Sequence, residues 1–320
     1  MTTTNHRCAV LGKPIAHSLS PVLHNAAYRA LGFDDWEYTK HEVGEDDLDA
    51  FLARLDPSWH GLSLTMPLKQ TIQPYGTPSN LWARELGVAN TAVFDWSGTR
   101  PDSPTIKLYN TDVVGIQLAF DHASLMHGIV DADAGQGHAV VIGNGNTASS
   151  AVAACTMMPE IGRITVIARN PDKNPSLRPL AEKFLRHGNA LRAIAMADTE
   201  AVAHALVQAD VAINTIPGLA ADPLAGLLLE SHATLRTGAR LLDVVYDPRP
   251  TKLMTAWRER GGAAIGGEEM LLYQALIQVL LMTGIWDGDP PSDADERLQD
   301  VTTDDDQLEI AMRQALEEAL

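Results

Sequence analysis

The stretch "VVIGNGNTASSA", residues 140–151, decides the fold. A run of branched apolar residues halts at Gly143, and a run of small residues suited to a tightly packed helix begins at Asn146. Gly143, Gly145 and Ala148 fall into the spacing G-x-G-x-x-G/A, with Asn144, Asn146 and Thr147 between them. In such a turn the first glycine permits the tight bend, and the second lets backbone approach a pyrophosphate. The third small residue brings helix and strand together, and the helix N-terminus adds N–H groups and the positive end of its dipole. Gly-rich turns also occur as plain connectors, but the strand–loop–helix context makes this one a dinucleotide-binding loop.

Strands and helices alternate on both sides of this loop. Downstream, "RITVIAR", "LRAIA", "ADVAINTIPG" and "ARLLDVVYD" read as strands, with helices at "NTASSAVAACTMM", around 176–187 and at "EAVAHALVQ". Strands separated by helices of this length imply a parallel, doubly wound sheet. Upstream of the break "DAGQG", "RCAVLG" reads as a first strand. "SPVLHNAAYRALG" reads as a helix capped by Ser20, with Pro21 in its first turn and Gly32 at its end. "WEYTKHEV" alternates like a strand and "GEDDLDAFLARL" reads as an amphipathic helix. "GLSLTM", "ANTAVFDW" and "KLYNTD" add strands, with a helical stretch at "LWARELG" and a turn-rich loop at "SGTRPDSPT".

The expected fold class is α/β in two domains. An N-terminal α/β domain covers residues 1–112 and is completed by a helix at 268–286. A C-terminal Rossmann-type doubly wound dinucleotide-binding domain covers 113–267. Residues 287–320 form an acidic tail: a linker including "WDGDPPSDADER", then an amphipathic helix with Leu308, Met312, Ala315 and Leu316 at helical spacing. Its composition favours a solvated, partly helical segment that the chemistry does not need.

The dinucleotide follows from the end of the second strand of that sheet. An NAD site places Asp or Glu there to bind the ribose 2′-hydroxyl. This chain has Ala168, Arg169 and Asn170, then Lys173, with no carboxylate before Asp172. A guanidinium makes two hydrogen bonds to a 2′-phosphate and stacks on adenine, so NADP is expected in preference to NAD.

Composition excludes other classes. The net charge of −17 is uneven: residues 287–320 hold 12 acids and 2 bases, and the preceding 286 residues hold 29 acids and 22 bases. No basic stripe suggests nucleic acid, and an acidic surface disfavours phosphate backbones and anionic membranes. The apolar stretch "MLLYQALIQVLLMTG" is too short and, with Gln274 and Gln278, too polar to span a bilayer. The opening "MTTTNHRCAVLGKP" has no apolar h-region or cleavage-site pattern, so no signal peptide is expected. Cys8 and Cys155 sit in apolar segments and read as small core residues in a reducing cytoplasm. His17 and His24 form no convincing ligand cluster, and no metal is expected. One lysine is out of place: Lys69, one of seven in the chain, ends the apolar run of "GLSLTMPLK". Lysines there usually snorkel, with the stem on the core and the head in water.

Several blocks taken together resemble the shikimate dehydrogenase family. "GKPIAHSLSPVLHNAA" resembles its S-x-S-P signature with Ser18 and Ser20, and "LTMPLK" its T-x-P-x-K motif with Thr65 and Lys69. "GVANT" carries Asn90, "YNTDVVG" carries Asp112, and "INTIPG", "LLDVVYDPRPTKL" and "GGEEMLLYQA" match later blocks, the last with Gln274. They run in family order over residues 7–285 or so. The sequence departs from the family at Asn144, Asn146 and Thr147 in the glycine loop, at Ala168 and Asn170 flanking Arg169, and at Leu81, where an acid is common.

The resemblance implies reversible NADPH-dependent reduction of 3-dehydroshikimate to shikimate, in chorismate and aromatic amino-acid biosynthesis. It implies that residues 1–112 bind substrate, with Lys69 and Asp112 a catalytic pair facing each other across a cleft between the domains. Ser18, Ser20, Thr65, Asn90, Tyr246 and Gln274 then bind the polyhydroxylated acid along with that pair. The glycine loop, Ala168, Arg169, Asn170, Lys173, Val244 and Gly267 bind the cofactor. A protein of this kind works as a monomer or homodimer on a small-molecule substrate. Two alternatives stand beside it: a quinate/shikimate dehydrogenase using NAD, which often changes the second serine, present here as Ser20; and a catalytically idle NADP-binding sensor, against which the intact Lys69 and Asp112 argue.

Overall fold

A computed structural model of the 320-residue chain describes residues 4–98, 103–129, 133–186, 190–286 and 297–320. The chain divides into two units: Met1–Thr111 with Leu271–Leu320, and Asp112–Met270.

The first unit opens with β1 (His6–Gly12), α1 (Ser20–Ala30), β2 (Trp36–Glu42), α2 (Leu48–Leu52) and β3 (Trp59–Leu64). It continues through α3 (Leu68–Thr71), β4 (Thr77–Pro78), α4 (Leu81–Leu86), β5 (Thr91–Asp95) and β6 (Thr105–Tyr109). Its sheet has the order β2-β1-β3-β5-β6-β4. β1 pairs parallel with β2 and β3, whereas β5 runs antiparallel to both β3 and β6. The turn-rich loop joining β5 to β6 lies partly outside the described residues.

The second unit begins with α5 (Asp112–His127) and β7 (Gly137–Ile142), followed by α6 (Asn146–Met157), β8 (Ile161–Ala168), α7 (Leu177–Phe184) and β9 (Ala190–Ala195). Next come α8 (Thr199–Val207), β10 (Val211–Asn214), α9 (Asp222–Glu230), β11 (Arg240–Asp243), α10 (Lys252–Glu259) and β12 (Ala263–Gly266). The sheet order is β12-β11-β10-β7-β8-β9, parallel throughout. This is the Rossmann order, whose switch point lies between β7 and β10. Every residue of β7 is buried, as a strand covered by helices on both faces requires. Two further helices, α11 (Gly267–Met282) and α12 (Arg297–Ala319), end the chain.

The structure corrects four local expectations. Ser20 does not cap α1: Leu19 holds the cap position in helical backbone with no side-chain cap, and Ser20 is the first helical residue. The cap-like bond comes instead from Ser18, whose Oγ accepts from the Ser20 N–H at 3.4 Å. The amphipathic helix over 44–55 shortens to a 3-10 turn at Glu45–Asp47 and the five residues of α2, because Asp47 turns back to accept from the Gly44 N–H. α9, α10 and β12 carried no assignment. β12 is only "AAIG" and follows two glycines, and α9 contains Gly226, a poor helix former.

The fourth correction concerns the acidic tail. Its linker, 287–296, lies outside the described residues, but the later turns of α12 are docked. Leu308, Met312 and Leu316 are 3%, 0% and 2% exposed, and they share a core cluster with Leu23 and Ala27 of α1 and Leu272 and Val279 of α11. Three apolar side chains at i, i+4 and i+8 form one stripe, and burying them outweighs the acidic average of the segment. Cys8 and Cys155 are buried free thiols, as read.

The docked helix gives a direct test. Met312→Ala should destabilise the protein by about 2–5 kcal/mol, the range for emptying a buried Met site. Ile310→Ala, at a side chain 61% exposed, should stay within about 0.5 kcal/mol. Equal denaturation midpoints for the two variants would return the tail to solvent.

Candidate active site

The glycine loop has the geometry its spacing requires. Gly143 has φ +115, and a Cβ there would stand 2.4 Å from Thr215 Oγ1. Both facts exclude a side chain, because the loop leaves β7 against the end of β10. Thr215 Oγ1 donates to the Ile142 carbonyl at 2.7 Å and closes this crossing. Gly145 differs: an added Cβ meets nothing within 4 Å, and Gly145 occupies the N-cap of α6 with no side-chain cap. The start of this twelve-residue helix therefore has no side-chain cap and leaves room beside Gly145, which fits a dinucleotide pyrophosphate. Ala148 is fully buried, as the third small residue should be.

Asparagines tie this loop to the segment after β8. Asn144 Nδ2 donates to the Asn170 carbonyl at 2.6 Å, and Asn174 Nδ2 donates to Ser149 Oγ at 3.1 Å and to the Asn144 carbonyl at 3.4 Å. Asn146 and Thr147 open α6. Ala168 ends β8 in the core, and Arg169 and Asn170 beyond it are exposed, as is Lys173 in the short turn Pro171–Lys173. Asn170 uses its own Oδ1 to accept from the Asp172 N–H, so Asp172 is held in the turn after Arg169.

The far side of the Rossmann sheet brings Val244 and Gly267 together. A Cβ at Gly267 would lie 2.3 Å from the Val244 carbonyl oxygen, so only glycine fits there. Beneath them Asp243 accepts from Thr251 Oγ1 at 2.7 Å, Asn214 Nδ2 at 2.8 Å and the Val245 N–H at 3.2 Å. These bonds set the path of the segment carrying Tyr246. Burial, and secondarily the neighbouring Asp247 carboxylate, push the Tyr246 phenol above its ordinary range and keep it a neutral hydroxyl.

The first unit collects a second polar site from distant segments. Asn90, just before β5, is 2% exposed. Its Oδ1 accepts from the Thr111 N–H at 2.8 Å, and its Nδ2 donates to Thr111 Oγ1 at 2.9 Å and to Gln274 Oε1 at 3.2 Å. Gln274, on α11, is 184 residues from Asn90. Lys69 lies half-buried in α3, and its carbonyl accepts from the Ala89 N–H at 2.9 Å, which ties α3 to the segment leading into Asn90. Thr65 is half-buried at the end of β3, where its carbonyl accepts from the Leu68 N–H. Ser18 and Ser20 stand at the start of α1, Ser20 buried. Asp112 is buried at the first residue of α5, directly after Thr111. Among the described residues no group of three His, Cys, Asp or Glu could hold a metal ion, and no helix is long and apolar enough to cross a membrane.

Sequence reasoning missed Thr91, Thr111 and Gln278. Thr91 and Thr111 lie inside the motifs "GVANT" and "YNTD", so the motif boundaries held the signal. Gln278, one helical turn after Gln274, was visible only as a polar interruption of an apolar helix.

A Rossmann unit with an uncapped glycine loop, in one chain with a second α/β unit built around a buried amide cluster, defines the class: a dinucleotide-dependent oxidoreductase of two α/β units. The family profile described as shikimate dehydrogenase substrate binding domain matches residues 10–92. The shikimate dehydrogenase (NADP(+)) of Trichormus variabilis is 31% identical over 282 residues, covering 83% of this chain and 87% of its own length. The protein of the same name from Synechocystis sp. is 33% identical over 273 residues, covering 83% and 86%. The crystal structure of Mycobacterium tuberculosis shikimate dehydrogenase matches with a TM-score of 0.75 and 35% identity, covering 98% of this chain and 100% of that one. The chain belongs to the shikimate dehydrogenase family.

The two loop glycines should respond differently to the same substitution. Gly143→Ala should lower the melting temperature and abolish dinucleotide binding together. Gly145→Ala should melt like the wild type but weaken binding of a reduced nicotinamide dinucleotide at least about tenfold, or ~1.4 kcal/mol. Wild-type affinity for Gly145→Ala in a fluorescence titration would remove the loop from the cofactor site.

Proposed function

We propose that the protein interconverts shikimate and 3-dehydroshikimate with NADP(H). The observation that carries this reading is the buried site in which Asn90, Thr111 and Gln274 are hydrogen-bonded to one another from three separate segments. Such a set of fixed amide and hydroxyl groups suits the ring hydroxyls of a polyhydroxylated acid. Relatives named shikimate dehydrogenase (NADP(+)) support the substrate class.

Ser18 and Ser20 offer hydroxyls to the substrate carboxylate near the N-terminus of α1, where the helix dipole favours an anion. The Tyr246 phenol is a further hydroxyl offered to the acid. Thr65, Asn90 and Gln274 hold ring hydroxyls, with Asn90 on one that does not react. Lys69 carries the proton chemistry. During reduction its ammonium stabilises negative charge building on the carbonyl oxygen and delivers a proton to that oxygen; during oxidation the neutral amine takes the hydroxyl proton. Asp112 accepts a hydrogen bond from a substrate hydroxyl.

The cofactor is held by the loop from Gly143 to Thr147, by Val244 and Gly267, and by Ala168 and Asn170 at the end of β8. Bound there, it supplies the hydride donor and acceptor of the reaction. The choice of NADP rests on Arg169 and Lys173, exposed beyond β8 with no acidic side chain at the strand end. The guanidinium binds the 2′-phosphate in two-point fashion, and the ammonium adds charge.

Initial rates with shikimate and quinate, each with NADP+ and NAD+, test the whole assignment; shikimate with NADP+ should be fastest, and a preference for quinate with NAD+ would overturn it. Lys69→Ala should lower kcat at least ~10²-fold, the scale of a positioned acid or base, with substrate still bound. In the same assay, Arg169→Ala should raise KM for NADPH strongly and leave that for NADH nearly unchanged.

A further inference from the structure

Gln278 is 1% exposed in the middle of α11, flanked by Ile277 and Val279, which are fully buried. A buried primary amide is tolerated only when its donors and acceptors are matched, and an apolar residue of similar size would be cheaper there. Its partners show what it holds. Gln278 Nε2 donates to the Asn90 main-chain carbonyl at 3.2 Å and to Thr91 Oγ1 at 2.9 Å. A carbonyl can only accept, so this bond fixes which end of the amide is nitrogen. Gln278 Oε1 then faces Ser63 Oγ at 2.7 Å and His24 Nε2 at 3.3 Å, and both must donate to it. Tyr38 O–H donates to Ser63 Oγ at 2.5 Å, which leaves the serine hydrogen for Gln278. His24 is fully buried, and burial lowers its pKa to about 3, so it is neutral and carries its hydrogen on Nε2.

The same logic continues toward the site. Thr91 Oγ1 accepts from Gln278, so its own hydrogen is directed at Asn90 Oδ1, 3.0 Å away. Asn90 Oδ1 is thereby held by two donors, the Thr91 hydroxyl and the Thr111 N–H at 2.8 Å. With its oxygen fixed on that side, Asn90 turns its Nδ2 hydrogens toward Thr111 Oγ1 and Gln274 Oε1. The bonds run in one direction, Tyr38 to Ser63 to Gln278 to Thr91 to Asn90 to Gln274, each donor passing its hydrogen to the next. Successive bonds of one polarity reinforce one another in a dry interior. Gln274, where this path ends, and Gln278, through which it passes, are four residues apart and stand on one face of the same helix.

We propose that Gln278 is a positioning residue for substrate binding, acting through the Thr91 hydroxyl to hold the Asn90 amide with Nδ2 on the Gln274 side, where one N–H exchanges the longer bond to Gln274 Oε1, 3.2 Å, for a substrate hydroxyl. The proposal rests on Asn90 being a substrate contact, as in the reading above. It adds that the contact depends on a residue two hydrogen bonds behind it that touches no substrate.

The test compares KM for shikimate, kcat, KM for NADP+ and melting temperature across four variants. Thr91→Val keeps the shape and removes the relaying hydroxyl; Thr91→Ser keeps the hydroxyl; Gln278→Met removes the amide at similar length; Asn90→Ala is the reference. Thr91→Val and Gln278→Met should raise KM for shikimate about five- to tenfold, the scale of one lost hydrogen bond. Both should hold kcat within about twofold, because a contact equal in ground and transition states appears in KM alone, and both should leave KM for NADP+ unchanged. Thr91→Ser should restore wild-type KM, a rescue that a merely structural role for the side chain's bulk would not produce. Should Gln278→Met fail to fold, the Thr91 pair carries the test alone. Wild-type KM for Thr91→Val beside a raised KM for Asn90→Ala would overturn the relay and leave the Asn90 contact standing. A Thr91→Ser enzyme as impaired as Thr91→Val would also overturn it. Wild-type KM for Asn90→Ala would overturn the reading of Asn90 itself, and the proposal with it.

Discussion

The hydrogen bond from the Thr111 N–H to Asn90 Oδ1, 2.8 Å long and buried, holds the first unit's site together. Asn90 is stitched at every level. Its N–H donates to the Tyr109 carbonyl at 3.1 Å, and its own carbonyl accepts from the Leu64 N–H at 2.7 Å, so its backbone links the ends of β6 and β3. Its side chain links Thr111 to Gln274. An unmatched buried amide costs about 1–3 kcal/mol, so none of these segments can drift without stranding a polar group. The neighbouring asparagines serve the same end. Asn80 Oδ1 accepts from the Asn110 and Ala83 N–H groups, and Asn110 Nδ2 donates to the Val88 carbonyl. Much of what the motifs "GVANT" and "YNTD" encode is this clasp.

The second unit solves the same problem at the ends of its parallel strands. Strand ends expose backbone groups that a loop must satisfy. Asn214 and Asp243, ending β10 and β11, are bonded to each other at 2.8 Å, and Asp243 also receives Thr251, the cap of α10. Burial raises the Asp243 pKa while three donors oppose it, with burial the larger influence. Ionisable and amide groups are thus buried where segments must be held in register, while the run Ala139–Ile142 of β7 is wholly apolar and buried.

How much of this was legible in the sequence depends on the kind of signal. The Rossmann order was readable because strand and helix alternation has a long period, and the glycine loop because Gly143 must have positive φ and no Cβ. Lys69 was not legible by chemistry: a lysine ending an apolar run is ordinary, and only the order of the motifs gave it a role. The tail was misjudged because composition averages over a helix, whereas docking is decided by one stripe. Twelve acids among the last 34 residues set the average of that segment; Leu308, Met312 and Leu316 set its buried stripe. Ser20 was assigned as a cap from residue type alone, and the turn placing Leu19 there depends on backbone that residue type does not specify. Hydrogen-bond direction, on which Gln278 turns, has no sequence pattern at all.

α11 joins these observations. One of its faces carries Gln274 and Gln278 into the amide cluster, and its apolar residues Leu272, Leu276, Val279 and Leu280 enter the core cluster shared with α1 and α12. A helix with polar groups buried on one face and apolar groups on another cannot rotate by even one residue without burying an unmatched amide or exposing a leucine. α12 tightens that constraint from outside: Tyr273 Oη donates to Glu309 Oε1 at 3.0 Å and accepts from Arg313 at 3.2 Å, one residue before Gln274. The acidic segment beyond the family motifs therefore braces the helix whose rotation sets where Gln274 and Gln278 point. Its contribution to the site is indirect and mechanical, which is why no motif records it.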